Sequence, residues 1–139
     1  MSDDATRALV RDLYDAYARG DGDRFAAMLA DDVEWIIHGP VQVFPFVGPR
    51  HGKQNVLTAL GSIAKDYALE RYEPDIIIVE DERAAVSSNV AFMQRASGRT
   101  LSFRNANFLR FRDGRLIEFR EFMDTFDAVE QALGRWLDV

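Results

Sequence analysis

The chain has 139 residues, 47% apolar and 29% charged, the composition of a single globular domain large enough to bury its own core. It contains no cysteine, which excludes disulfides, thiolate nucleophiles and cysteine-based zinc sites. A net charge of −6 disfavours nucleic acid and anionic membrane surfaces as partners, and no apolar run approaches the roughly 20 residues of a membrane span.

The opening MSDDATRALVRDLYDAY is acidic and amphipathic, without a basic segment leading into an apolar one. It reads as a helix and not as a signal peptide, so a cytoplasmic protein is expected. Leu9, Val10, Leu13, Tyr14 and Tyr17 recur at three- and four-residue steps and predict that the helix ends near Gly20. Asp21 or Asp23 can cap a second, short helix carrying Phe25, Met28 and Leu29. Val33 to His38 (VEWIIH) is β-branched and aromatic, a buried strand stopped by Gly39 and Pro40. The stretch VQVFPFVGPRHG is expected to be a loop, and a third helix starts at Lys53, burying Val56, Leu57, Leu60 and Ile63.

The second half reads as strands. The first runs from about Tyr67 to Glu80, with Pro74 requiring an edge position or a bulge. Ser97-Gly98 and Asp113-Gly114 mark hairpins on either side of RTLSFRNANFLRFR, the latter with the type I′ signal. A final helix from about Thr125 places Phe126, Val129, Leu133, Trp136 and Leu137 on one face. No linker or repeat divides the chain, so residues 1–139 form one α+β domain, with helices over one face of a bent, largely antiparallel sheet.

Several residues stand out chemically. Phe119, Glu121 and Met123 share one strand face, so a pocket lined by the two apolar side chains would enclose a carboxyl group. Burial there raises its pKa toward that of a general acid or base near neutral pH. The alternative is an exposed carboxylate paired across strands with Arg104 or Arg110. Asn105 and Asn107 point the same way on a strand, where asparagine is uncommon, and are candidates to stabilise negative charge on a substrate oxygen. His38 ends the first strand and is a candidate base. Tyr17, Trp35, Phe44, Phe46, Phe92 and Phe103 are candidate pocket walls. Asp124 with Thr125 suits a helix cap. His38 and His51 stand too far apart to suggest a metal site, and neither a P-loop nor a serine elbow is present, so no metal and no cofactor is expected.

The segments GDGDRFAAMLADDVEW, FPFVGPRHGKQNVLTAL and FLRFRDGRLIEFREFMDTFDA resemble nuclear transport factor 2-like proteins. Within that superfamily the likeness is to the SnoaL-like branch, named for a polyketide cyclase, and to ketosteroid isomerase. It implies a cone-shaped shell: a strongly curved, mixed or antiparallel sheet closed by helices around a pocket, often as a homodimer. The outward Arg104, Ala106, Phe108 and Arg110 would suit that dimer's interface. Ungapped, the steroid isomerase tyrosine and base positions fall on Leu13 and Ile37, and its protonated acid on Asn107, so steroid isomerisation is not expected. The acid of epoxide hydrolases and SnoaL-like cyclases falls on Glu121, whereas the hydrolases' water-holding pair falls on Trp35 and Ile37. The implied protein is a small-molecule pocket, with a cofactor-independent acid–base enzyme on an apolar, ring-sized carbonyl or epoxide compound as one reading. A non-catalytic ligand-binding or dimerisation module is the other.

Overall fold

In the computed structural model, which describes all 139 residues, Ser2 opens α1 (Asp3–Ala18) by accepting a hydrogen bond from the Ala5 amide. Asp3 and Asp4 add negative charge at the positive end of the helix dipole. Asp21 caps the short α2 (Gly22–Ala27), accepting from the Arg24 amide, and the chain passes directly into β1 (Leu29–Ile37). The strand starts earlier than VEWIIH suggests, because Leu29 already pairs with Leu116 before an irregularity resets the register at Glu34.

The expected loop before the third helix contains a strand, β2 (Gly48–His51), paired antiparallel with β1 from Glu34↔His51 to Ile37↔Gly48. Its sequence, GPRH, has poor strand propensity, but β2 is an edge, where a proline forfeits no ladder bond that the sheet needs. Then come α3 (Lys53–Asp66) and β3 (Tyr67–Glu80) without an intervening loop, followed by β4 (Arg83–Gln94), β5 (Thr100–Arg112), β6 (Arg115–Met123) and α4 (Thr125–Leu133). Asp113 and Gly114 both take positive φ, as a type I′ hairpin turn requires.

The six strands form one sheet in the order β2-β1-β6-β5-β4-β3, antiparallel except for the parallel pair β1 and β6. Helix α3 carries the chain from one end of the sheet to the other, so β1 and β3 lie far apart although they are close in sequence. Pro74 satisfies both of its alternatives: β3 is an edge strand, and a bulge falls between Pro74 and Ile76. Further irregularities at Leu69/Arg71, at Leu29/Glu34 and at Arg110/Phe111 help to bend the sheet. The sheet stays open, and α1 and α3 pack across its inner face, closing the shell that strand pairing leaves incomplete.

The last helix departs from its sequence pattern. Gly134, in the left-handed conformation, stops α4 at Leu133, so Trp136 and Leu137 lie beyond it and Trp136 is 84% exposed. The buried residue of α4 is Ala128, while Phe126 and Leu133 face outward. No helix is long and apolar enough to cross a membrane.

Candidate functional site

Strand alternation builds the site. On β5, Asn105, Asn107, Leu109 and Phe111 are buried while Arg104, Phe108 and Arg110 face outward. On β6, Phe119, Glu121 and Met123 face inward. The pairing of β5 with β6 sets Asn107 directly opposite Glu121, and Asn105 opposite Met123.

Glu121 is 7% exposed and sits in a knot of hydrogen bonds. Asn105 Nδ2 donates to its Oε1 at 2.9 Å, Asn107 Nδ2 at 3.0 Å and the Tyr72 hydroxyl at 3.2 Å. Asn105 Nδ2 also donates to the Tyr72 hydroxyl at 2.8 Å. Behind them, the Tyr14 hydroxyl donates to Asn107 Oδ1 at 2.5 Å, and Tyr72 lies within 3.1 Å of the same acceptor. All protein donors to the carboxyl converge on Oε1, and Oε2 has no protein partner.

That asymmetry decides where a proton resides. An oxygen facing three donors has no lone pair well placed for a proton of its own, so protonated Glu121 carries its hydrogen on Oε2. Burial pushes the pKa from its usual 4.5 to about 7, with the bonds from Asn107 and Tyr72 pulling in the opposite direction. Burial, and then the charge on Glu121, raise Tyr14 and Tyr72 well above the ordinary tyrosine value, keeping them as neutral donors.

The carboxyl borders an apolar cavity of about 80 Å³ between the sheet and the helices. Tyr17, Trp35, Phe46, Phe92, Asn105, Phe119 and Met123, expected on the pocket wall, all line it, as do Phe44 and Phe103. Trp35 stacks flat on Phe119, with ring centroids 3.8 Å apart. Arg104 and Arg110 lie on the opposite face, paired with Asp75 and Glu118, so the exposed arginine pairing considered for Glu121 is not what occurs.

Two candidates take other positions. His38 follows Ile37, whose partner across the parallel ladder is Glu121, and alternation turns the imidazole to the outer face. It stacks there on Phe122 with centroids 4.5 Å apart, and only its backbone N–H reaches the Glu121 carbonyl, at 3.0 Å. Asn107 is buried behind Glu121 and does not line the cavity. Its carboxamide is engaged at both ends, so it addresses the carboxyl group and not a substrate oxygen.

The sequence reasoning passed over Tyr14 and Tyr72. Tyr14 was visible in the helix stripe, one residue from the position to which the ungapped isomerase comparison assigns a tyrosine. Tyr72 had no comparable signal, because the irregularity between Leu69 and Arg71 sets which β3 side chains point inward. No three histidine, aspartate or glutamate side chains converge as metal ligands would.

The family model for the SnoaL-like domain matches residues 10–119, and the chain belongs to that family. Among solved structures, a "putative isomerase" from Rhodopseudomonas palustris is 34% identical with a TM-score of 0.84, the match covering 97% of this chain and 100% of that one. A nuclear transport factor 2-like protein of unknown function from Burkholderia pseudomallei is 26% identical (TM-score 0.85, covering 95% and 98%). A "putative polyketide cyclase" from Xanthomonas campestris pv. campestris, 20% identical with a TM-score of 0.79 and covering 94% and 98%, shares the fold. No curated protein matches the chain.

Proposed function

We propose that this member of the SnoaL-like family is a small-molecule enzyme that moves protons at a carbon beside a carbonyl group, with Glu121 as both base and acid. One observation carries the reading: a buried carboxyl group with a pKa of about 7, bound by donors at Oε1 and free at Oε2, on the wall of an apolar cavity.

The step needs no external group. Ionised Oε2 takes a proton from the carbon, the C–H electron pair becomes a carbon–carbon double bond, and the carbonyl π pair moves to oxygen to form an enolate. Where the substrate carries a double bond between the next two carbons, the enolate is a dienolate and Glu121 returns the proton to its far carbon, giving the conjugated isomer; where it carries a second carbonyl, the enolate carbon attacks that carbonyl carbon and Glu121 gives its proton to the alkoxide that forms, closing a ring. Epoxide hydrolysis is less well served, because it needs a held water and the corresponding positions are the stacked Trp35 and the apolar Ile37. The cavity bounds the substrate: an apolar cavity that admits benzene measures about 150 Å³, and this one is roughly half that. A ring-sized substrate therefore has to displace aromatic walls, whereas a compact ketone fits as the site stands.

The test requires no knowledge of the natural substrate. Wild-type protein in D₂O accelerates deuterium exchange at the carbons flanking the carbonyl of small acyclic ketones such as acetone and butanone, followed by proton NMR. Glu121→Gln loses at least about 100-fold of that acceleration, the scale of a general base. Equal rates in the two proteins would remove the catalytic reading and leave a ligand-binding shell.

A further inference from the structure

Two side chains that line the cavity carry a buried polar atom without a protein partner: Trp35 Nε1, a donor, and Asn105 Oδ1, an acceptor. Both residues are almost wholly buried, Trp35 at 5% exposure and Asn105 at 4%. Such orphaned atoms are uncommon in a folded interior, because each has given up water without a replacement. One donor and one acceptor on the same cavity match a ligand that carries both kinds of group.

The orientation of the Asn105 carboxamide is fixed. Its Nδ2 gives one hydrogen to Glu121 Oε1 at 2.9 Å and the other to the Tyr72 hydroxyl at 2.8 Å. Turning the group over would set Oδ1 against Glu121 Oε1, two acceptors in contact whenever the carboxyl is ionised. Both amide hydrogens are therefore used within the protein, and Oδ1 is all that Asn105 offers a ligand. Ser88 faces Asn105 across the β4–β5 ladder, but its buried hydroxyl makes no hydrogen bond there. Register sets the two orphaned atoms on either side of the acid. Trp35 pairs with Phe119, one inward position before Glu121, and Asn105 with Met123, one inward position after it.

We propose that the substrate is a compact hydroxyketone, selected by Asn105, whose Oδ1 accepts a hydrogen bond from the substrate's hydroxyl group. This rests on the carbonyl chemistry assigned to Glu121 above and specifies which carbonyl compounds the site prefers. A simple ketone offers acceptors only, so it can serve Trp35 but leaves Asn105 without a partner. A hydroxyketone serves both. An ammonium group is also a donor, but moving a charge from water into an apolar cavity costs more than one hydrogen bond returns, so the group is neutral. Discrimination follows from the asymmetry of buried hydrogen bonds: an analogue lacking the hydroxyl leaves the acceptor stranded.

Hydroxyacetone and butanone test this, since they differ only by a hydroxyl in place of a methyl group and nearly match in size. Their affinities for wild type, Glu121→Gln and Asn105→Ala are compared by NMR titration. Hydroxyacetone binds wild type at least about tenfold more tightly than butanone. The preference persists in Glu121→Gln. There the glutamine oxygen stays where the three donors converge, and the amide nitrogen that replaces Oε2 cannot accept the hydroxyl. It disappears in Asn105→Ala. In wild type the carbon-13 resonance of the Asn105 carboxamide shifts with hydroxyacetone and not with butanone, a readout that depends on no variant. Equal affinities in wild type, as a hydroxyl of Ser88 already serving Asn105 would give, overturn the assignment, as does loss of the preference in Glu121→Gln or an unmoved Asn105 resonance. A preference for hydroxyacetone without deuterium exchange in wild type supports the role of Asn105 and removes only the proton-transfer role of Glu121.

Discussion

Asn107 on β5 faces Glu121 on β6 across one rung of the antiparallel ladder, and its Nδ2 donates to Glu121 Oε1 at 3.0 Å. The rung fixes the separation of the two side chains independently of any loop. The acid is therefore oriented by an unbroken stretch of the β5–β6 ladder, from Asn105↔Met123 to Arg110↔Glu118, as a preorganised site requires.

Replacing Asn107 by leucine keeps the volume and removes the amide. Glu121 loses a donor to its charged form, so its pKa rises above 7, which a carbon-13 titration of the side-chain carboxyl would register. The Tyr14 hydroxyl also loses its acceptor, at a cost of about 1–3 kcal/mol in urea unfolding at pH 5.

Glu121→Gln tests the cost of the buried acid. Below about pH 4.5 folded and unfolded chains both hold the proton, and ionisation contributes nothing. Between that value and the folded pKa of about 7 the unfolded chain releases a proton that the folded chain keeps, so stability falls as pH rises, and the loss is complete above pH 7. At about 1.4 kcal/mol per pKa unit the loss is on the order of 3 kcal/mol. The glutamine variant is therefore the more stable protein at pH 8, and its advantage fades by pH 4.5, measured by denaturant unfolding across that range.

Ala128 projects from α4 into the cavity and is itself buried. Ala128→Leu adds three carbons to the empty volume and should stabilise the protein by about 2 kcal/mol, read as a higher denaturant midpoint. The same substitution should abolish butanone binding, a direct trade of function for stability.

Helix α4 is fastened by Gln131. Its carboxamide accepts from the Ser102 amide at 2.8 Å and donates to the Ser102 carbonyl at 2.9 Å, standing in for a strand at the part of β5 that lies beyond its pairing with β6. Gln131→Ala should accelerate hydrogen exchange at the Ser102 amide at least tenfold and leave exchange at Asn107 unchanged.

The sequence carried most of the architecture because its signals were local. Helical spacing located α1 and α3, glycine and aspartate located the hairpins, and alternation placed Phe119, Glu121 and Met123 on one face. What escaped it depended on distant pairings. GPRH becomes a strand only because β1 offers an edge, Tyr72 turns inward only after an irregularity in β3, and His38 faces outward because the parallel partner of β6 aims Ile37 inward. Trp136 extended an apolar series that Gly134 had already ended. The donors to Glu121 were half legible: the two asparagines were conspicuous as a pair, but the engagement of their amide hydrogens with the carboxyl and not with a ligand follows from the β5–β6 register.

The convergence of every donor on Oε1 has a stereochemical consequence. In the proposed reaction, with one oxygen available, the proton leaves and returns through the same atom, held on one side of the substrate, so the transfer is suprafacial. A hydrogen isotope removed from one carbon reappears on the same face of the next, in a proportion set by how fast Oε2 exchanges with water. The geometry of one carboxyl group thus confines the proposed transfer to a single face of whatever substrate is bound.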